Sequence, residues 1–307
     1  MNKILIICPV YNEEESLSKF FKKISQVGKN IKNLKIVFVN DGSDDQSLKL
    51  IKNFCKKNDA VKYLSFNKNY GHQNAILAGL ENFKSDYYIA MDTDLQHDPA
   101  LLKKMIEKIT LNKVDLVQMK KDNSNYESQF KTNISKFFYK IFSRLVNIEI
   151  ANGSSDFYII NKELRDKVIN SKFGNNFLRG LIHWLSIKKL YISYSPKKRL
   201  NGKSKYNFSK QSLFALNGII NFFSQFYFML FKLAAFIAMF SFFYIIYIVY
   251  DYSKNGTTVD GWNTLTILIL AFGAMQILIS SIQVYVLSRI YNFVGNKPSY
   301  VISELKK

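Results

Sequence analysis

The amino-acid sequence predicts an α/β domain followed by a pair of membrane-spanning helices. Through the first 119 residues, short apolar runs alternate with stretches that repeat apolar residues at helical spacing, which is the pattern of an α/β sheet. Two long, charge-poor runs follow towards the C-terminal end. Of the 307 residues, 48% are apolar and 15% aromatic. The chain can therefore bury a sizeable core, which excludes an intrinsically disordered protein.

Five apolar runs predict the strands of the α/β domain. They are Ile4–Cys8, Ile36–Val39, Val61–Phe66, Tyr87–Met91 and Val114–Met119. The stretch from Leu17 to Ile24 repeats apolar residues at helical spacing and predicts a helix between the first two strands. Strands that are apolar throughout have helices on both faces of their sheet. We therefore expect a parallel sheet, with ligands at the carboxyl ends of its strands.

Acidic and amide residues follow three of these runs directly. Asn12-Glu13 follows the first run, Asp41–Asp45 the second and Asp92-Thr93-Asp94 the fourth. Two carboxylates at a loop mouth form a hard-oxygen site that suits Mg²⁺ or Mn²⁺, although the same residues are common in turns and caps. Neither a Gly-x-Gly-x-x-Gly fingerprint nor a Gly-x-x-x-x-Gly-Lys-Ser/Thr loop occurs in the sequence. A bound nucleotide would therefore need a metal ion at its phosphates.

The two charge-poor runs predict transmembrane helices. Residues 226–250 contain Lys232 as their only charge, and residues 264–287 contain none. A helix of the first length reaches roughly 37 Å, more than the ~30 Å hydrocarbon layer. Two buried core helices are the alternative, but such long runs exceed the usual globular helix.

The distribution of charge predicts which side of the membrane the domain occupies. The chain carries 43 Lys and Arg against 23 Asp and Glu, a net charge of +20, and residues 1–210 hold +17 of it. Lys232 lies near the entry of the first span, and Arg289 and Lys297 follow the second span on that same side. The connector between the spans is nearly neutral. By the positive-inside rule, both termini are expected in the cytoplasm.

Four motifs resemble those of the polyprenyl-phosphate branch of family 2 glycosyltransferases, which includes enzymes similar to dolichol-phosphate-mannose synthase and to bacterial bactoprenol glucosyltransferases. The motifs are Pro9–Glu14, Asp41–Asp45, Asp92–Pro99 and Arg199–Tyr206, in that order. The residue pattern itself predicts an interfacial helix over 206–225, a transmembrane hairpin over 226–290 and a cytoplasmic tail over 291–307. The resemblance implies that residues 1–205 form a cytoplasmic GT-A nucleotide-sugar-binding domain. It also implies a nucleotide-sugar donor, Mg²⁺ or Mn²⁺, a polyprenyl phosphate acceptor and a place in the bacterial inner (cytoplasmic) membrane.

The resemblance assigns roles to individual residues. It implies a nucleotide-binding set and a metal pair, Asp92 and Asp94, of which Asp94 is also catalytic. The nucleotide-binding set is Pro9, Tyr11, Glu13, Asp41, His72 and Asp92. From the residues alone, His72 is a helix-start residue. Asp156 matches an acidic position that faces the sugar, as general base or as orienter of donor hydroxyls; a capping role is the alternative. Because a phosphate acceptor is already largely anionic at neutral pH, the orienting role is favoured.

Basic residues predict where the acceptor phosphate binds. Residues 129–147 form a basic amphipathic pattern that fits a helix in the headgroup layer, or alternatively a core helix with a solvated charged face. The candidate phosphate ligands are Lys131, Arg144, Arg199, Lys203, Ser204 and Lys205. Relatives often carry another Arg three residues before Arg199, where this chain has Pro196. In this interpretation, the single charges of the neighbouring Lys197 and Lys198 bind the phosphate in place of a bidentate arginine side chain.

The favoured function is inverting, metal-dependent transfer of one hexose from a nucleotide diphosphate sugar, UDP-glucose or similar, to polyprenyl phosphate for cell-surface glycan modification. A processive polysaccharide synthase is an alternative, but Gln-x-x-Arg-Trp does not occur here. The +17 domain also fits a membrane-tethered nucleic-acid binder, although its aromatic residues are not interleaved with its charges. A catalytically dead scaffold is a third alternative. Gln276, Ser280 and Gln283 share one helix face, which predicts contact with the first span or with a second copy in a homo-oligomer.

Overall fold

The computed structural model describes residues 2–121, 154–171, 178–195, 224–256, 261–294 and 298–306. The chain divides into two compact units. The first unit combines residues 1–218 with residues 297–307, and the second comprises residues 219–296. The stretch that forms the second unit is thus an insertion in the sequence of the first.

The first unit is built on a mixed sheet. Its strands are β1 (Ile4–Val10), β2 (Leu34–Asn40), β3 (Val61–Phe66), β4 (Tyr87–Ala90), β5 (Leu116–Lys121), β6 (Ser154–Asn161), β7 (Lys189–Tyr194) and β8 (Ile302–Lys306). Their spatial order is β7-β5-β6-β4-β1-β2-β3-β8. Strand β1 pairs in parallel with β2 and β4, and β2 pairs in parallel with β3. The predicted α/β fold is confirmed.

Two strands run against the others. Strand β6 lies between β4 and β5 and is antiparallel to both, and β8 is antiparallel to β3. Because β5 is antiparallel to β6, it still points the same way as β1 to β4. The five predicted strands therefore share one direction, but they do not form one continuous parallel block. Strands β6, β7 and β8 were not among the predicted strands.

Helices cover both faces of the sheet, as its apolar strands predict. The described helices are α1 (Glu14–Gly28), α2 (Ser47–Lys56), α3 (His72–Asn82), α4 (Leu101–Asn112), α5 (Lys162–Asn170), α6 (Leu178–Leu185), α7 (Ser224–Asn255) and α8 (Trp262–Val294). Phe21 of α1 stacks on Phe54 of α2 and meets the edge of Phe38 of β2, at centroid distances of 4.1 and 5.2 Å. On the opposite face, α3 packs so closely that a Cβ at Gly79 would lie 2.5 Å from Ile7 Cγ2.

The loops that follow β2 and β3 touch each other at Gly42. This glycine has a φ of +63°, and a Cβ on it would lie 2.3 Å from the carbonyl carbon of Lys68. A side chain here would have to displace backbone and adopt a left-handed conformation that only glycine enters without strain. Gly42 therefore lets the two loops meet at the carboxyl edge of the sheet.

The second unit contains the two long apolar helices α7 and α8, which contact each other. Their apolar windows, Ala235–Lys254 and Leu265–Leu287, are long enough to cross a membrane, and only 12% and 6% of these windows is buried. Core helices of a soluble domain would be mostly buried, so this alternative is not supported. Gln276 and Gln283 are exposed, so the described part of the unit does not cover the predicted polar face.

His183 of α6 is a buried, neutral histidine. Its Nε2 lies 3.1 Å from Gln118 Oε1, while Gln118 Nε2 donates to the carbonyl oxygens of Ser155 and Phe157 at 2.7 and 3.2 Å. Because the Gln118 oxygen can only accept, His183 carries its proton on Nε2. Burial, assisted by the positive charge of Lys189, lowers the pKa of His183 to about 3.

We expect acid to destabilise the fold through His183. Its folded pKa lies below the unfolded value, so the unfolded chain binds a proton first and stability falls as the pH drops from about 6.5 towards 3. Between pH 7 and pH 5 this one group accounts for a loss of about 2 kcal/mol. Urea unfolding of the purified full chain in detergent should show a shallower pH dependence for His183→Gln. A slope equal to that of the unmodified protein would contradict this assignment.

Candidate active site

The loops after β1 and β2 bond to each other at the carboxyl edge of the sheet. The Asn12 amide N–H donates to the Ser43 hydroxyl at 3.0 Å, and the Asp44 amide N–H donates to Asn12 Oδ1 at 2.9 Å. The Glu13 carboxylate accepts from the hydroxyl of Ser16 at 2.8 Å, within the first turn of α1. These bonds fix both loop backbones relative to each other.

Asp41 joins the β2–α2 loop to the β3–α3 loop. Its carboxylate is 2% exposed and accepts the amide N–H groups of Tyr70, at 2.6 Å, and Gly71, at 2.9 Å. Burial raises the pKa of Asp41 to about 6, although both amide donors favour the ionised form. Gly71 has a φ of +97°, a conformation that glycine adopts without strain, and the chain enters α3 directly after it.

The segment after β4 presents two carboxylates on one side. Thr93, Leu95 and His97 are buried, whereas the alternate residues Asp92 and Asp94 are half-buried. Leu95 has a φ of +62°, a left-handed conformation that is uncommon for a branched side chain and marks a local strain. The turn thus places an apolar residue in the core and leaves both aspartates at the edge of the sheet.

The buried side chain of His97 stabilises this turn. Its Nδ1 accepts the amide N–H of Asp92 at 3.3 Å, and its ring stacks on Phe157 of β6 with the centroids 4.8 Å apart. Burial lowers the pKa of His97 to about 3, so the ring is neutral and protonated on Nε2. The 3.7 Å approach of His97 Nδ1 to Asp92 Oδ2 is therefore not an ion pair, because both atoms are acceptors.

His72 begins α3 and bridges two acidic residues. Its Nε2 lies 3.3 Å from Asp92 Oδ1 and 3.4 Å from Asp156 Oδ2. Burial lowers the pKa of His72, but the charges of Asp92 and Asp156 outweigh burial and raise it to about 9. Burial also raises the pKa of Asp92 to about 6, with the positive charge of His72 opposing and the charge of Asp94 adding to the rise.

Asp156 lies on β6 and is bound by side chains of three residues, Arg179, Gln73 and His72. Arg179 of α6 binds it in a fork, with Nε 2.9 Å from Oδ1 and Nη2 2.6 Å from Oδ2. Gln73 Nε2 donates to Oδ2 at 3.0 Å, and Gln73 Oε1 accepts the Arg179 amide N–H at 3.0 Å. Burial would raise the pKa of Asp156, but Arg179 and His72 outweigh it and hold the pKa well below its usual value.

The structure brings several of the predicted site residues together. His72 contacts both Asp92 and Asp156, and Asp41 binds the residue before His72. Asp94 lies two residues beyond Asp92, where its Oδ1 accepts the amide N–H of Gln96.

The remaining predicted residues fall into two groups. Pro9 is buried in β1, and Tyr11 and Glu13 follow at the carboxyl end of that strand. The six predicted acceptor ligands lie outside the described residues, as does the basic pattern over 129–147. They are Lys131, Arg144, Arg199, Lys203, Ser204 and Lys205.

The sequence reasoning assigned no role to Arg179 or to Gln73. Arg179 stands in no recognised motif. One signal was available: Arg179 and His183 are four apart on the otherwise apolar helix α6, and such residues share one face. A cation and an imidazole on one buried face require partners, which β6 and β5 supply through Asp156 and Gln118.

A cavity of about 680 Å³ lies away from this cluster, beside α2 and β3. Its lining includes Lys49, Lys52, Lys56 and Lys306, together with Asp45 and Tyr63. Lys52 pairs with Glu304 of β8 at 2.6 Å. None of the interacting groups around Asp92 and Asp156 lines this cavity, so we place the candidate site at the carboxyl edge of the sheet.

The aspartate pair fits a divalent cation that is shared with a diphosphate. Among the described residues, no group of three or more His, Cys, Asp or Glu side chains has the arrangement of a complete metal centre. Mg²⁺ bound with nucleotide often takes only one or two protein carboxylates and completes its shell with phosphate oxygens and water. The charge of Asp94 raises the pKa of Asp92, and a cation between them would relieve this repulsion.

The chain matches known proteins along most of its length. Residues 5–169 match Glycosyl transferase family 2. The glycosyltransferase CsbB of Bacillus subtilis (strain 168) is 31% identical over 302 residues, which cover 98% of this chain and 91% of the relative. The SfII prophage-derived bactoprenol glucosyl transferase of Shigella flexneri is 29% identical over 305 residues, which cover 98% of each chain.

Solved structures share the fold. A glucosyl-3-phosphoglycerate synthase of Mycobacterium tuberculosis, in complex with Mn²⁺, UDP-glucose and phosphoglyceric acid, superposes with a TM-score of 0.52 and 14% identity. The match covers 72% of this chain and 78% of the synthase. The α/β sheet and the family match together define a glycosyltransferase with a GT-A-like fold. The chain belongs to glycosyltransferase family 2.

Removing Arg179 should destabilise the protein by leaving Asp156 buried without its main partner. Breaking one side of a buried ion pair costs about 3–5 kcal/mol, so we expect a loss of this order for Arg179→Met and a smaller loss for Arg179→Lys. The double variant Asp156→Asn/Arg179→Met should lose less than the sum of its single variants, because neither residue is then left charged and unpaired. Urea unfolding of the full chain in detergent measures the cycle. Additive losses would rule out the coupling.

Proposed function

We propose that this glycosyltransferase transfers one glucosyl residue from UDP-glucose to the phosphate of a polyprenyl phosphate. The observation that carries the proposal is the cluster of His72, Asp92 and Asp156 beside the Asp41-bound loop, at the carboxyl edge of the sheet. The Shigella flexneri relative, which matches along nearly its whole length, is named a bactoprenol glucosyl transferase. The product would serve cell-surface glycan modification.

The donor nucleoside is proposed to lie over the ends of β1 and β2. Pro9, Tyr11 and Glu13 lie at and just beyond the end of β1, and Asp41 directly follows β2, with its amide N–H bonded to the Val10 carbonyl at 2.8 Å. Tyr11 offers an aromatic face for a base, and the carboxylate of Asp41 can accept from a base or ribose donor. The diphosphate would then extend towards Asp92 and Asp94.

Asp92 and Asp94 are the proposed ligands of Mg²⁺ or Mn²⁺. The Mycobacterium tuberculosis synthase with this fold was solved with Mn²⁺ and UDP-glucose. When bound, the cation would supply charge neutralisation for the departing diphosphate. A donor held by Asp92 and Asp94 through this cation would have its sugar on the side of Asp156, because His72 contacts both Asp92 and Asp156.

Asp156 is proposed to orient the donor sugar and not to act as a base. Its two oxygens already receive the fork of Arg179, the amide of Gln73 and the imidazole of His72, so the carboxylate stays anionic and fixed. The acceptor phosphate, with a second pKa near ~6, needs no base at neutral pH. Its oxygen attacks C1 from the face opposite the diphosphate. The new C1–O bond forms as the bond to the β-phosphate breaks, which inverts C1 and releases UDP.

The return of the chain to the sheet supports a two-span hairpin. Strand β8 follows α8 and pairs with β3 in the first unit, so the chain leaves that unit before α7 and rejoins it after α8. A crossing by α7 thus requires a return crossing by α8. Lys232 and Arg289 flank the spans, which favours the cytoplasmic side for the catalytic unit. The six predicted acceptor ligands remain proposals, as does pairing through Gln276 and Gln283.

The function is tested by a panel of donors. The purified full chain in detergent is incubated with undecaprenyl phosphate and radiolabelled UDP-glucose, UDP-galactose or GDP-mannose. We expect one labelled lipid from UDP-glucose, carrying a single sugar. A ladder of larger products would indicate a processive synthase instead, and unlabelled lipid with every donor would refute the proposal.

Replacing Asp94 with Asn should remove turnover that depends on the added cation. Asn keeps the shape of the side chain but lacks the charge that holds Mg²⁺ or Mn²⁺, so we expect a fall in kcat of at least roughly a hundredfold, the size of a lost electrostatic contribution to the transition state. Asp44→Asn, an exposed residue of a neighbouring loop, is the matched control and should retain activity. Unchanged Mn²⁺-dependent turnover in Asp94→Asn would reject the metal assignment.

A further inference from the structure

The segment that follows α8 is part of the sheet of the first unit. Strand β8 pairs antiparallel with β3 from Tyr63 opposite Lys306 to Phe66 opposite Ile302. The pairing is extended by the Ser303 hydroxyl, which donates to the Ser65 carbonyl at 3.0 Å, and by the Asn67 amide N–H, which donates to the Val301 carbonyl at 3.3 Å. This segment therefore contacts the chain up to the first residue of the β3–α3 loop.

Tyr300, just before β8, joins the two elements that this loop connects. Its ring stacks on Phe66, the last residue of β3, with the centroids 4.9 Å apart and the planes 22° apart. Its hydroxyl lies 3.1 Å from Asn82 Nδ2 and donates to the carboxylate of Glu81, both in the last turn of α3. Tyr300 therefore ties the end of β3 to the end of α3.

The loop between these elements carries the two amides that bind Asp41. The Phe66 ring meets the Tyr70 ring edge to face at 5.6 Å, and the amides of Tyr70 and Gly71 donate to the Asp41 carboxylate. A Cβ added to Gly71 would meet no atom of the described residues within 4 Å, so no side chain packs against that side of the glycine. The contacts run from Tyr300 through Phe66 and Tyr70 to Asp41.

We propose that Tyr300 is a positioning residue for the nucleoside of the donor, because it holds the β3–α3 loop that orients Asp41. This inference rests on the proposed function, in which Asp41 contacts the nucleoside. Without Tyr300 the loop would sample more conformations, and the nucleotide would have to order it on binding. Tyr300 therefore affects the affinity for the donor. It does not affect the rate of the chemical step at C1 of the sugar, which takes place beside Asp156.

Other contacts keep β8 in place independently of Tyr300. Glu304 pairs with Lys52 at 2.6 Å, and Lys306 Nζ donates to the Cys55 carbonyl at 2.9 Å. Both contacts attach the strand to α2. Lys306→Met removes one of them on the same segment without touching Phe66 or the loop, so it is the matched control.

The test compares Tyr300→Phe, Tyr300→Ala and Lys306→Met with the unmodified full chain in detergent. Calorimetric titration with UDP in the presence of Mn²⁺ gives Kd, and turnover of UDP-glucose with undecaprenyl phosphate gives KM and kcat. We expect Tyr300→Ala to raise Kd and KM by about tenfold, and Tyr300→Phe, which keeps the stacked ring and loses the hydroxyl bonds, by about threefold. Lys306→Met should stay within about twofold of the unmodified protein, and kcat should change little in all three.

Each outcome decides between the two proposals. If the unmodified protein binds no UDP, the proposed donor and the role of Tyr300 fail together. If it binds UDP and both Tyr300 variants bind equally well, or if they lower kcat at an unchanged KM, only the role of Tyr300 fails. Thermal unfolding in the same detergent checks that the variants are folded. Should Tyr300→Ala not fold, Tyr300→Phe alone carries the comparison with Lys306→Met.

Discussion

The parallel pairing of β1 with β2 and β4 is the constraint on which the site depends. Parallel strands end at the same edge of a sheet, so the pairing brings the loops after residues 10, 40 and 90 to one edge. Hydrogen bonds connect the loops after β1, β2 and β3, with Asn12 bonded to Ser43 and Asp41 bonded to Tyr70 and Gly71. His72 contacts Asp92 of the loop after β4. Residues far apart in sequence thereby become neighbours before any substrate arrives.

The antiparallel strand β6 contributes a further acidic residue, Asp156, to the site formed at the ends of the parallel strands. It carries Asp156 up beside β4, where His72 lies between Asp156 and Asp92. Helix α6 stabilises this strand through two residues. Arg179 binds the Asp156 carboxylate directly. His183 binds Gln118 of β5, which in turn donates to the backbone carbonyls on either side of Asp156. Side chain and backbone of one residue are fixed from the same helix. A group fixed in this way needs little reorganisation during a reaction.

The sequence predicted most clearly those features that repeat or stand next to one another. Five strands follow from apolar runs, and Asp92 and Asp94 follow from their place after β4. Asp156 was placed near the sugar only by resemblance, because β6 enters the sheet between β4 and β5 and no local pattern reports that insertion. Arg179 was missed because its partner lies 23 residues away on another element. Strand β8 has only five residues, Ile-Ser-Glu-Leu-Lys, and none of them is buried. Its apolar residues do not alternate with polar ones, so the sequence alone does not predict a strand there.

The distant partnership of β3 and β8 sets an order on biosynthesis. Tyr63 bonds to Glu304, a residue 241 positions further along the chain, and the whole of α7 and α8 is translated between them. Until residues 302–306 emerge from the ribosome, the edge of β3 that pairs with β8 has unpaired N–H and C=O groups, which are a template for wrong pairing. Because β8 follows α8 in the sequence, this edge can be covered only after both long helices have been synthesised.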